Sequence, residues 1–125
     1  MLNIRLPFPS SKLSPNSRMH WAQRHRASKQ AKGDACMLTM QAIQSSGIPE
    51  ASLQHVLQLP QIDVRLFFHP SAKYRYDQDN LIARMKAALD GVSATLGVDD
   101  VKFNIAKAHI MPPCKSDPHV LVVVG

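Results

Sequence analysis

The hydrophobic period of the chain changes once between residues 62 and 97, and that change constrains the fold class more than any other feature. Ile62, Val64, Leu66 and Phe68 alternate with Asp63, Arg65 and Phe67, the pattern of a strand with one buried face, and His69-Pro70 ends it. From Asp79 to about Leu96 the apolar residues Leu81, Met85, Ala88, Leu89, Val92 and Leu96 recur at helical spacing, with Gly97 where a C-terminal cap belongs. A half-buried strand followed by an amphipathic helix calls for a helical layer on a sheet.

The flanking sequence extends this pattern. Leu2, Ile4 and Leu6 alternate with Asn3 and Arg5 as a short strand that Pro7 and Pro9 terminate. A loop rich in Ser, Pro and Asn runs through Ser17. From Met19 or Trp21 to Ser46, Ala27, Ala31, Ala35, Leu38 and Ala42 mark a helix that Gly47-Ile48-Pro49 stops, although Gly33 within it costs about 1 kcal/mol against alanine. Val101, Phe103 and Ile105 form a third strand, and the apolar phase then slips to Ala106, Ala108 and Ile110, as a bulge would require. After a turn from Pro112-Pro113 to Pro118, the run His119 to Val124 is dense in β-branched residues and reads as an interior strand. The predicted order is β-α-β-α-β-β: one α+β domain over residues 1–125, with a small mixed sheet packed with two helices. The last two strands are predicted to pair as an antiparallel hairpin with a long connection.

Charge narrows the function. The chain carries 15 Lys and Arg against 9 Asp and Glu, a net charge of +6. Excess lysine can serve solubility alone, but Arg5, Lys12, Arg18, Arg24, Arg26, Lys29 and Lys32 all precede the first acidic residue, Asp34, which favours nucleic acid or an anionic surface as partner. No apolar run approaches a membrane span or forms a cleavable leader, so a cytoplasmic protein with no membrane partner is predicted. Cys36 and Cys114 lack metal-ligand or redox spacing and read as reduced structural thiols.

Five of the nine acidic residues, Asp77, Asp79, Asp90, Asp99 and Asp100, fall between positions 77 and 100. Crowding carboxylates on a basic chain is favourable when a cation sits among them, and a divalent metal facing a polyanion is the usual resolution. If Asp79 opens the second helix, Ala83, Lys86 and Asp90 fall on its face, opposite the apolar stripe. Asp77, two residues earlier on an extended approach, should point the same way. The third ligand is sought in Asp99-Asp100, where the chain returns to the sheet. Oxygen ligands without paired His or Cys select Mg²⁺, with Mn²⁺ a possible substitute, over zinc. Lys86 is placed either to assist at a scissile phosphate or to pair with Asp90 at i+4. Asp90 reads alternatively as a solvated helix residue and Asp99 as a cap or turn residue, and both are the less favoured ligands.

The blocks Asp77-Gln78-Asp79-Asn80-Leu81, Lys86-Ala87-Ala88-Leu89-Asp90 and Leu96-Gly97-Val98-Asp99-Asp100 resemble the RusA family of Holliday-junction resolvases. The likeness extends weakly to Leu6-Pro7-Phe8-Pro9-Ser10 and to the segment from Leu13 to Trp21. It implies a catalytic centre of Asp77, Asp79, Lys86 and Asp100, with Asp77, Asp79 and Asp100 on Mg²⁺. It also implies a homodimer that binds a four-way DNA junction and nicks two strands symmetrically, in recombination and repair, with no small-molecule cofactor. In the best-known pattern the lysine stands four residues after the second aspartate, whereas Lys86 stands seven after Asp79; both are same-face helical spacings.

Lys73 and Arg75, flanking the approach to Asp77, and Lys12, Arg18 and Arg24 are candidate phosphate contacts. Asp90, Asp99 and Asn80 are secondary site candidates. Trp21 reads first as a core or interface residue and second as a wedge in a junction. Met37, Met40 and Ile43 read as a core or dimer face, and the histidines stay outside the catalytic set, though His69 could approach the metal loop. Two further readings remain open: a nuclease for other branched DNA such as flaps and forks, and a basic DNA-binding module without catalysis.

Overall fold

The computed structural model describes residues 1–73, 75–105 and 108–125. Five strands are formed, β1 (Leu2–Pro7), β2 (Ile62–His69), β3 (Phe103–Asn104), β4 (Ala108–Ile110) and β5 (His119–Val124), with four helices, α1 (Trp21–Ser45), α2 (Glu50–Leu57), α3 (Gln78–Arg84) and α4 (Lys86–Leu96). The result is a single-domain α+β fold with a mixed sheet. The three long strands and α1 lie where the apolar alternation and the alanine spacing put them.

β5 is the central strand, antiparallel to β1 on one side and to β2 on the other. The far edge of β2 carries β3 and then β4, both parallel to it. The predicted hairpin between the last two strands is therefore corrected: β4 and β5 lie on opposite edges of β2. Helices α3 and α4 form the crossover that a parallel pair needs. Register advances by one residue between the pairs Ile62 with Phe103 and Leu66 with Ala108, so the chain gains a residue there, as the phase slip required. The bulge assigned to that slip falls on Ala106, outside the described residues.

One sheet face makes the core. Ile4, Val122, Leu66 and Ala108 form a continuous cross-strand row, all fully buried. Ala35 of α1, Leu57 of α2, Leu81 of α3 and Val92 of α4 pack on this face. The opposite face bears Arg5, Arg65, Phe67, His69, His109 and His119, all exposed or half-buried.

The prediction of two helices is corrected in two places. A short helix, α2, fills residues between α1 and β2, held by Leu57 in the core. The second predicted helix is two helices, divided at Met85, whose amide reaches back to Ile82 in a tightened turn. No proline or glycine lies at the break. α3 packs against β4 and the 3-10 turn Ser11–Leu13, whereas α4 packs along α1, so the two segments answer to different neighbours. α1 and α4 approach closely at Gly91, where an added Cβ would lie 2.5 Å from the Lys32 carbonyl oxygen. The Cys36 thiol donates to the Gly91 carbonyl at 3.5 Å, and both cysteines are free.

Trp21 lies outside the core, 74% exposed at the start of α1, and Met37 and Met40 are more than half exposed on the same helix. The core reading of those three is corrected. Among the described residues, no helix is long and apolar enough to cross a membrane.

Candidate functional site

The acidic stretch is built around both ends of the α3–α4 crossover. Asp77 is the N-cap of α3, in extended conformation, and its Oδ1 accepts from the amides of Asp79 at 2.9 Å and Asn80 at 3.3 Å. Aspartate suits this position because its carboxylate satisfies amides that have no intrahelical acceptor. The helix thus begins one residue before Asp79, and the Asp77 carboxylate is turned towards its own backbone. Asp79 occupies the first turn, where the helix dipole favours negative charge, and it is exposed.

Lys86 opens α4 immediately after the break. Its Nζ lies 3.4 Å from the Asp90 carboxylate and 3.4 Å from that of Asp100, so one ammonium spans two carboxylates. The Asp90 charge first, then the hydrogen bond and charge of Asp100, hold the Lys86 pKa above its ordinary value. Lys86 thus makes the i+4 pair with Asp90, and it also faces Asp100. Because the break intervenes, the face calculated for one continuous helix does not apply across residues 79 to 90. The pairing with Asp100 depends on the crossover returning to the sheet edge.

Asp100 opens the 3-10 turn Asp100–Lys102, which leads into β3. Asp99 caps that turn, its Oδ1 accepting from the Val101 amide at 3.0 Å, which is the cap reading of this residue. A small cavity of about 250 Å³ lies beside the cluster, lined by Ala83, Lys86, Leu89, Asp100 and Phe103. Ala83 is one helical turn beyond Asp79, so the exposed side of α3 leads from Asp79 to the Lys86–Asp100 pair.

Asn80 has a structural task that the sequence did not indicate. Its Nδ2 donates to Ser14 Oγ at 2.8 Å, and its Oδ1 accepts from Arg84 Nε at 2.9 Å, which ties the N-terminal loop to α3. The i+4 spacing of Asn80 and Arg84 was the one available signal; the Ser14 contact spans 66 residues of sequence and left none.

The candidate phosphate contacts lie on the loop before α3, on the 3-10 turn Ser11–Leu13 and around the start of α1. Lys73 and Arg75 are exposed on the loop that leads to Asp77, with Tyr74 between them outside the described residues. Lys12 is exposed on the 3-10 turn, Arg18 is exposed ahead of α1, and Arg24 is half-buried near its start. His69 does not approach the acidic loop: its ring stacks on His119 across the open sheet face, with centroids 4.4 Å apart.

Carboxylate oxygens form a donor set that suits a hard divalent cation. Among the described residues, however, no three His, Cys, Asp or Glu side chains converge as a metal-holding group. The side chains of Asp77 and Asp79 are exposed and that of Asp100 is partly so, which leaves all three open to solvent.

No family model matches the chain. It is similar to an uncharacterized protein of Xylella fastidiosa (strain Temecula1 / ATCC 700964), with 38% identity over 106 residues, an alignment that takes in 82% of this chain. The chain spans 63% of the length of that relative.

Proposed function

We propose that the protein is a structure-selective endodeoxyribonuclease of RusA type, a homodimer that resolves four-way DNA junctions by paired symmetric nicks. The observation that carries the reading is the contact of Lys86 with Asp100 beside the α3 face that begins at Asp79. A cation held between carboxylates, next to exposed acids on a basic protein, is the equipment phosphodiester hydrolysis uses. Asp77, Asp79 and Asp100 are the residues that would hold Mg²⁺ or Mn²⁺. When bound, such an ion supplies water activation and relief of charge at the phosphate. Lys86 keeps its proton at neutral pH and is placed to offset phosphate charge, while Lys73 and Arg75 lie on the exposed approach to Asp77.

The non-catalytic module has one specific observation in its favour. Asp77 and Asp99 serve as caps and Lys86 pairs with both Asp90 and Asp100, so most of the acidic cluster has a structural partner without metal. Cleavage of a synthetic four-way junction, a flap and a linear duplex in Mg²⁺ and in Mn²⁺ separates the readings. Resolvase activity predicts preferential symmetric nicking of the junction, abolished in Asp77→Asn with binding retained. Equal cutting of all three substrates defeats junction selectivity. Tight binding with no cutting in either metal establishes the module.

A further inference from the structure

A second cavity, larger than the one at the acidic cluster, lies away from that cluster on the other side of the α3–α4 break. It encloses about 530 Å³ between the Pro7–Ser10 segment, one face of α1 and the residues at the break. Arg84, Met85 and Ala88 line it, whereas Ala83, Lys86 and Leu89 line the small cavity at the acidic site. The same two helical turns therefore form one wall of each.

The cavity follows from the alanine spacing of α1. Ala27 and Ala31 recur at i+4 on the helix face turned to the N-terminal segment, and they remain half-buried because their side chains are too short to fill the space. Phe8 and Pro9 stand opposite them. The result is a slot between Phe8 and Pro9 on one side and Ala27 and Ala31 on the other, with apolar groups that a flat ring can contact. Its rim is polar and unbalanced in charge: Lys12, Arg26 and Arg84 are cationic against a single acid, Asp34. Arg84 is fixed by its bond to Asn80, so it is pre-positioned. Gln30 and Asp34 supply amide and carboxylate groups that can pair with the edge of a nucleobase. The volume falls within the range of about 300–1,000 Å³ typical of small-ligand sites.

We propose that this cavity receives one unpaired nucleotide of a DNA strand, its base in the alanine–proline slot and its phosphate on Lys12, Arg26 and Arg84. The proposal rests on the reading of the protein as one that acts on branched DNA, and it assigns a site for an unstacked base across the α3–α4 break from the acidic cluster. Charge selects the class of ligand: three cations at the mouth of the slot match a planar ring that carries a phosphate.

The test uses the full chain and a single-stranded oligonucleotide with one 2-aminopurine, whose fluorescence rises when the base leaves the stack. The wild type should raise that signal on binding. Ala31→Leu fills the slot from the half-buried face of α1 and should abolish the rise, with single-strand affinity weakened by about tenfold, the scale of one lost base contact. Arg26→Glu, an exposed substitution that leaves packing untouched, should weaken the same binding while duplex affinity changes less. Free dAMP provides the other source of the same chemistry. Binding of dAMP without any fluorescence change in the oligonucleotide makes this a free-nucleotide site and overturns the proposal. A fluorescence rise that persists in Ala31→Leu also overturns it. If junctions are bound and cut while 2-aminopurine never responds, this site fails and the nuclease reading stands; if no DNA is bound, both fail.

Discussion

Lys86 Nζ stands 3.4 Å from the carboxylate of Asp100, fourteen residues further along the chain. The contact joins the first residue of α4 to the turn that restarts the sheet, and among the described residues it is where the acidic cluster closes on itself through a cation. Both side chains are substantially exposed, 75% for Lys86 and 40% for Asp100, so solvent screens the pair. Lys86→Met should therefore lower folding stability by no more than about 1 kcal/mol, while junction cleavage falls by orders of magnitude. Urea melts and single-turnover cleavage measure the two separately. A large loss of stability with cleavage intact would assign Lys86 a structural role only.

The raised pKa of Lys86 sets a pH signature. Asp90, then Asp100, favour its charged form in the folded state, so the pair's contribution is complete below the usual lysine pKa and is lost as pH climbs through the raised value. The stability difference between wild type and Lys86→Met should be flat from neutral pH up to about pH 10 and shrink only above it. Denaturant midpoints across that range provide the measurement. A difference that disappears near neutrality would contradict the pairing.

Asp77 combines a cap with a candidate ligand, and two substitutions separate these roles. Asparagine caps a helix as well as aspartate, so Asp77→Asn should keep its stability, whereas Asp77→Ala should lose about 1 kcal/mol. Both should abolish cleavage. Thermal unfolding of the pair gives the cap contribution, and cleavage retained in Asp77→Asn would remove its charge from the mechanism.

The α1–α4 crossing depends on Gly91. A Cβ there would meet the Lys32 carbonyl at 2.5 Å and the Ala35 Cβ at 3.0 Å, and neither can rotate away. Gly91→Ala should destabilise the protein by about 1–3 kcal/mol through forced separation of the helices. An unchanged melting temperature would show that the crossing is looser than these distances imply.

Thr39 offers the opposite sign. It is fully buried on α1, and its hydroxyl has no hydrogen-bond partner among the described residues. Thr39→Val keeps the shape and removes the unmet polar group, so it should stabilise the fold by about 1 kcal/mol. Calorimetry of the variant measures it directly.

The sequence by itself determined the features that are local. Alternation at Leu2, Ile4 and Leu6 and from Ile62 to Phe68 specifies which strand face meets the core, because side chains on a strand repeat every second residue. Gly97 adopts the left-handed conformation that ends α4, a position where glycine carries no steric penalty. The acidic concentration between residues 77 and 100 was equally plain. α2 was not legible, since Glu50–Leu57 is too short for its period to stand out and it is held by packing against the sheet.

Only the tertiary structure decided where the pieces meet. The helix break at Met85 carries no proline or glycine and arises because α3 and α4 pack on different partners. Pairing β4 with β2 rather than β5, bringing Asp100 to Lys86 and tying Asn80 to Ser14 are all contacts between distant residues. Periodicity records which face of an element is buried but not what buries it. That choice depends on the joint fit of the whole core, and it turned a row of five aspartates into two caps, an ion-pair bridge and a first-turn helix residue.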